Sequence, residues 1–355
     1  MASPAAALSW AKKPRLRSVL IRVRLWGILF FICLGLGYPT LGRYDPRQFL
    51  PDSAAYAKLA EAGSAAVGGV WRFRVLVPML ARPIYHFAAG HTGGWDPLVF
   101  SFLIVNSFFT ASTAWLLFEV GRSHLDEDSQ IGVGIPLLGS TLFLLNFAVA
   151  NSMLAGLVDA AEAFFLMVAV ACMYYQLWRW LPLLGILGAL AKDSFVPFSI
   201  LMALVWWRCS ADRRMQDLLM IAAMGLAEFL TLIAAQSWIS GHAIWPWASL
   251  TATDSPISFF LNLGRSLIAR NFWYVFVWLL PLGLVGIRKM PNAWTAAAVT
   301  ASTAAWLLNA YHVPADGGSG NLGRYVFDVA GPLLSLSAAV ALGKEWPISA
   351  KAPPM

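Results

Sequence analysis

The sequence predicts an all-α fold: a polytopic membrane protein of about ten transmembrane helices, with interfacial helices in its first extracytoplasmic loop. Three observations lead there. Hydrophobic residues make up 59% and charged residues 12% of the 355 positions, and the mean hydropathy is +0.66, which leaves too little polar surface for a protein in water. Apolar stretches near or above the ~20 residues that cross the hydrocarbon of a bilayer recur along the chain. They are continuous rather than alternating, which excludes a β-barrel and calls for helices, whose backbone hydrogen bonds close within the segment.

The first element follows the basic run KKPRLRSVLIRVR and ends at Gly37-Tyr38-Pro39 with no small-residue cleavage pattern, so it reads as an uncleaved signal anchor. Spans are expected at about 24 to 41, 98 to 121, 133 to 151, 153 to 177, 181 to 191, 194 to 207, 218 to 238, 272 to 287, 293 to 310 and 325 to 343. The chain is then one polytopic domain, 1–355, with a basic cytoplasmic N-terminus (1–23) and a cytoplasmic tail (344–355). Outer loops cover 42–97, 239–271 and 311–324. With the N-terminus in the cytoplasm, alternate crossing places Arg122, Arg179, Arg208, Arg213, Arg214, Arg288, Lys289 and Lys344 inside, as the positive-inside rule requires. A single span over 181 to 207 would put Arg208, Arg213 and Arg214 outside. Two short segments meeting at Lys192-Asp193 fit better, and such broken segments occur where freed backbone is buried in protein or lines a wet cavity.

The formal charge of +7 reports this topology, since the cations are scattered over loops, and no nucleic-acid partner is expected. Cys33, Cys172 and Cys209 have no partner spacing for a disulfide or metal framework, and the five histidines show no paired metal-ligand spacing, so no metal site is assigned.

Six places carry ionisable groups of interest. Asp52 follows Pro51 and is placed to cap a short helix over Ser53 to Ala62; Asp45, before Pro46, suits a turn. Arg72 and Arg74 precede a second interfacial helix, Val75 to Ala88, and suit either headgroup anchoring or an anionic ligand. Asp159 and Glu162, three apart on one face in the outer half of a span, are costly there and read as functional groups facing a cavity, with a structural pair to Lys192 as the main competing reading. Lys192, beside Asp193, reaches either a phosphate or Asp159. Asp316 and Arg324 flank the glycine-rich DGGSGNLGR, a lid or an ordinary connector. Glu228 lies within the span at 218 to 238.

The stretches DSAAYAKLA, with Asp52 and Tyr56, and RFRVLVPMLA, with Arg72 and Arg74, resemble the Asp-x-x-x-Tyr and Arg-Val-Leu-x-Pro stretches of poorly characterised bacterial members of the GT-C superfamily of integral membrane glycosyltransferases. The broken span with a charged tip and the late outer loop with an arginine are similar too. The chain lacks the soluble C-terminal domain of larger members and a paired Asp-Glu in its first loop. The resemblance implies a polyprenyl-phosphate-linked sugar donor, a glycan, lipid or protein acceptor, and an inverting transfer at the extracytoplasmic face of a bacterial inner membrane. Asp52, or Asp45 as second choice, would be the general base. Tyr56, Arg72, Arg74, Asp159, Glu162, Lys192, Asp193 and Arg324 would border the substrate, the cations steadying a departing phosphate. That phosphate leaves already ionised, so no general acid and no cofactor is required, and a divalent cation is left open. The competing class is a transporter or lipid flippase using Asp159, Glu162 and Glu228, and the third a non-catalytic envelope-polysaccharide assembly protein.

Overall fold

The computed structural model describes residues 16–43, 51–125, 130–246, 256–312 and 321–345. Among them the regular structure is entirely helical. The helices are α1 (Leu16–Arg43), α2 (Pro51–Ala62), α3 (Leu76–Ala88), α4 (Pro97–His124), α5 (Gln130–Leu144), α6 (Asp159–Tyr174), α7 (Leu181–Ala191), α8 (Phe195–Cys209), α9 (Met215–Ser240), α10 (Pro256–Ile268), α11 (Arg270–Phe276), α12 (Leu279–Ile287), α13 (Asn292–His312) and α14 (Leu322–Glu345).

Four of these, α1, α4, α9 and α14, are long and apolar enough to cross a membrane, and α11 with α12 makes a fifth candidate bent by 51°. The bend has a local cause: Pro281 has no N–H for the carbonyl of Val277, so the ladder is interrupted where α12 begins. The other apolar helices are shorter and lean on the long ones, α7 on α9, α8 on α13, and α5 between α4 and α14. α4 and α14 form the buried centre, while α1 and α9 face outward over most of their length. Asp96 starts α4 by accepting from Leu98 N at 2.7 Å, with Pro97 opening the helix. α12 reaches α14 closely enough that a Cβ on Gly286 would collide with the Ser337 carbonyl, so only glycine fits this crossing.

The structure differs from the sequence expectation in three places. The spans expected at 133 to 151 and 153 to 177 are shortened, because α5 ends at Leu144 and the chain runs through a wide turn at Val149–Met153 before α6. Asn146 makes that stop: it donates to the Val275 carbonyl at 3.0 Å and accepts from Ala148 N, and Gly156 takes φ 78° at the return. The loop expected at 239–271 contains α10, whose Asn262 and Ser266 face α13, Asn262 donating to the Ala310 carbonyl and Ser266 accepting from Trp306. Asp52 lies inside the first turn of α2, and its carboxylate meets side chains rather than capping the helix.

The two short helices expected in the first loop form close to their expected positions. α3 buries Val77, Pro78, Ala81 and Ala88 against the bundle and exposes Met79, Leu80 and Phe87, with Arg82 and His86 exposed beside them. That apolar outer stripe with cationic edges suits a helix lying in a membrane surface. At the opposite end of the bundle, Glu119 of α4 is buried and held by Arg22 of α1 at 3.4 Å and by Arg122 at 3.2 Å.

Candidate functional site

The break between α7 and α8 organises the end of the bundle where α2 and α3 lie. Lys192 leaves the helix in extended conformation (φ −162°, ψ 137°), and its side chain turns inward and is completely buried. Its ammonium lies 2.7 Å from Asp159 Oδ1 and 2.5 Å from Glu162 Oε2, with Asp328 Oδ2 at 3.7 Å. Asp159 and Glu162 both sit in the first turn of α6, where the helix N-terminus favours negative charge, and Ser194 donates to the second oxygen of Glu162. Oxygens of Asp159, Glu162 and Asp328 come within 4.8 Å of one another, a grouping that could hold a metal ion, but the Lys192 ammonium already serves as its cation.

Arg324, one turn before Asp328 on α14, extends this network toward the surface. Its Nε forms an ion pair with Asp159 Oδ2 at 2.6 Å, and its Nη2 donates to Asp52 Oδ2 at 3.4 Å. The other oxygen of Asp52 accepts from Trp71 Nε1 at 3.1 Å. Trp71 is aimed there by a 3-10 turn, Val70–Phe73, that starts at Gly69 with φ 67°; a Cβ at Gly69 would press on the Trp71 ring at 3.1 Å. Beside this pair, Arg74 donates to Asp193 Oδ1 at 2.8 Å and to the Tyr56 hydroxyl at 2.9 Å, which ties the tip of the broken span to the first loop. Burial pushes the Tyr56 phenol up to about 12, so it keeps its proton and can donate while accepting from Arg74.

The structure therefore brings together Asp52, Tyr56, Arg74, Asp159, Glu162, Lys192, Asp193 and Arg324. Of the two roles open to Lys192, the geometry has the pairing with acids. Arg72 stands slightly apart: it donates to Ser240 Oγ at the end of α9 at 2.8 Å, its guanidinium lies 4.6 Å from the Phe73 ring, and it has no carboxylate partner among the described residues. Asp45 and Asp316 lie outside the described residues.

Access separates the carboxylates. The side chain of Asp52 is 27% exposed and that of Asp193 15%, whereas Asp159, Glu162 and Asp328 are sealed. Asp52 is thus the acid of the network that a molecule at the surface meets first. Each of its oxygens has one donor, which leaves a lone pair on each for a further hydrogen bond.

Sequence reasoning missed Asp328. Its signal is present, an acid in the apolar run YVFDVAGPLL four residues after Arg324 and so on the same helix face. No protein-family model matches the chain, and a search of curated proteins finds no match.

Proposed function

We propose that the protein is a membrane-embedded inverting glycosyltransferase that moves a sugar from a polyprenyl-phosphate donor to an acceptor hydroxyl at the outer membrane surface, with Asp52 as general base. The observation that carries this reading is the position of Asp52: an accessible carboxylate, fixed by Trp71 and Arg324, at the mouth of a rigid buried ion network and next to an interfacial helix. The proposal includes about ten crossings, the short apolar helices pairing into the bundle, with the N-terminus on the cytoplasmic side of a bacterial inner membrane.

In this mechanism Asp52 accepts the proton of the attacking hydroxyl, a role for which a free lone pair on a fixed carboxylate is suited. The donor phosphate needs a cation with no carboxylate already on it. Lys192, Arg74 and Arg324 are each committed to acids, so Arg72, on the same turn as Trp71, is the group to meet it. The exposed apolar stripe of α3 would lie along the donor's lipid tail. Lys192 and Arg324 hold the carboxylates in place rather than touching substrate.

The test is sugar transfer in liposomes from a panel of radiolabelled polyprenyl-phosphate sugars, comparing wild type with Asp52→Asn. The proposal expects transfer to fall by about 10²- to 10⁴-fold in the variant with the fold intact. Transfer unchanged in Asp52→Asn removes the mechanism. Transfer from no donor, with correctly folded protein, favours the transporter reading.

A further inference from the structure

Another buried acid lies outside this network. Glu228 is fully buried near the middle of α9, on the stripe Asp217, Ile221, Met224, Glu228, Leu232 and Gln236 that is the buried face of an otherwise outward-facing helix. That stripe packs on the α7–α8 hairpin, tightly enough that a Cβ on Gly185 of α7 would stand 2.8 Å from Glu228 Cγ. One Glu228 oxygen is 2.7 Å from Ser199 Oγ of α8, and the other has no hydrogen-bond partner among the described residues.

Hydrogen counting at Ser199 is informative. Its hydroxyl has a single proton and two acceptors in reach, the Val196 carbonyl at 3.0 Å and Glu228. Both bonds form at once only if Ser199 donates to Val196 and the Glu228 carboxyl itself supplies the proton of the other. Among the described residues no free cation offers an alternative, since Lys192 at the hairpin tip is held by Asp159 and Glu162. α7 carries no ionisable side chain, and α8 only Arg208 and Cys209 at its far end. The remaining charged groups on α9 and on the turns packed against it are Asp217, Arg179 and Arg72, and Arg72 is held at Ser240. Along α9, Asp217 and Ser240 are each more than ten residues from Glu228, roughly 16 to 18 Å at helical rise.

We propose that Glu228 is a proton-binding site, loaded as a carboxylic acid that donates to Ser199 and latches α9 to the α7–α8 hairpin. The hairpin carries Lys192 and Asp193 at its tip, so loss of this proton would drive a bare charge against the helices that position the candidate site. The site uses none of the Asp52 chemistry and stands or falls separately from it.

Two measurements on the full chain in liposomes test the site. Dicyclohexylcarbodiimide partitions into bilayers and reacts with protonated carboxyls: the acid's proton moves to a carbodiimide nitrogen and the carboxyl oxygen bonds to the central carbon, with no leaving group. Mass spectrometry of the treated protein is expected to place the adduct on Glu228 and to find it gone in Glu228→Gln. Infrared spectroscopy is expected to show one carboxylic-acid C=O band missing in Glu228→Gln and shifted in Ser199→Ala, the latter serving if the first variant fails to fold. Absence of an adduct on Glu228 in folded protein, together with a carboxylate band lost from Glu228→Gln or an acid band unmoved in Ser199→Ala, overturns the proposal.

Discussion

The two ends of the bundle treat buried charge in opposite ways. Near the N-terminus of α1 and the C-termini of α4 and α6, one carboxylate, Glu119, is shared by two half-buried arginines, while Ser123 and Tyr175 donate to the Glu119 backbone carbonyl. Around Lys192 the balance is reversed: Asp52, Asp159, Glu162 and Asp328 surround two cations, Lys192 and Arg324. A cluster with cations in excess is an ordinary clasp between helices, and its arginines can reach the headgroups. A cluster with acids in excess, sealed except at one carboxylate, costs more to assemble than it returns in packing, which is the pattern expected where structure serves a site.

Removing the central cation is the most severe way to break this contrast. Lys192→Met leaves Asp159 and Glu162 buried without their ammonium, and is expected to destabilise the protein by about 3 to 5 kcal/mol, the usual cost of orphaning one member of a buried pair. A thermal-unfolding series in detergent measures it; a loss below about 1 kcal/mol would mean that water or another cation reaches the cluster.

The equivalent change at the other end should be milder. Glu119→Gln replaces the anion shared by Arg22 and Arg122 with a neutral amide, but both guanidinium groups are more than a quarter exposed and can turn to water. About 1 kcal/mol is expected in the same assay. Equal losses at Glu119 and Lys192 would erase the distinction between the two ends.

The sequence shows this contrast only in part, and the boundary between what is legible and what is not follows physical lines. The break at Lys192-Asp193 is legible because a lone charge pair interrupts an apolar run and because a single span there would set Arg208, Arg213 and Arg214 against the positive-inside rule. Asp52, Tyr56, Arg72 and Arg74 are legible as a local motif. Asp328 is legible only as an acid in an apolar run, and the grouping it completes is not legible, since its neighbours come from α6 and the α7–α8 break, and nothing local on α14 names them. The turn from Asn146 to Gly156 hides inside a run of Leu, Phe, Val and Ala, where hydropathy reads through Asn146, whose side chain stops the helix. α10 hides for the opposite reason: its buried face is Asn262 and Ser266, so burial there has no apolar signature.

The smallest expected effect is the one that distinguishes the two ends by sign. Asp328 is sealed, its oxygens have no hydrogen-bond donor, and the nearest ammonium is at 3.7 Å and already engaged by two closer acids. Asp328→Asn removes one negative charge from an end that has too many, at nearly the same volume, and supplies an amide that can donate to Asp159 or Glu162. It should therefore leave stability unchanged or raise it by up to about 1 kcal/mol, whereas Glu119→Gln lowers it. Thermal unfolding of the two variants side by side reads the signs directly. If Asp328→Asn destabilises as Lys192→Met does, the third carboxylate is a full partner of the ammonium, and the Lys192 cluster is a structural clasp as the Glu119 cluster is.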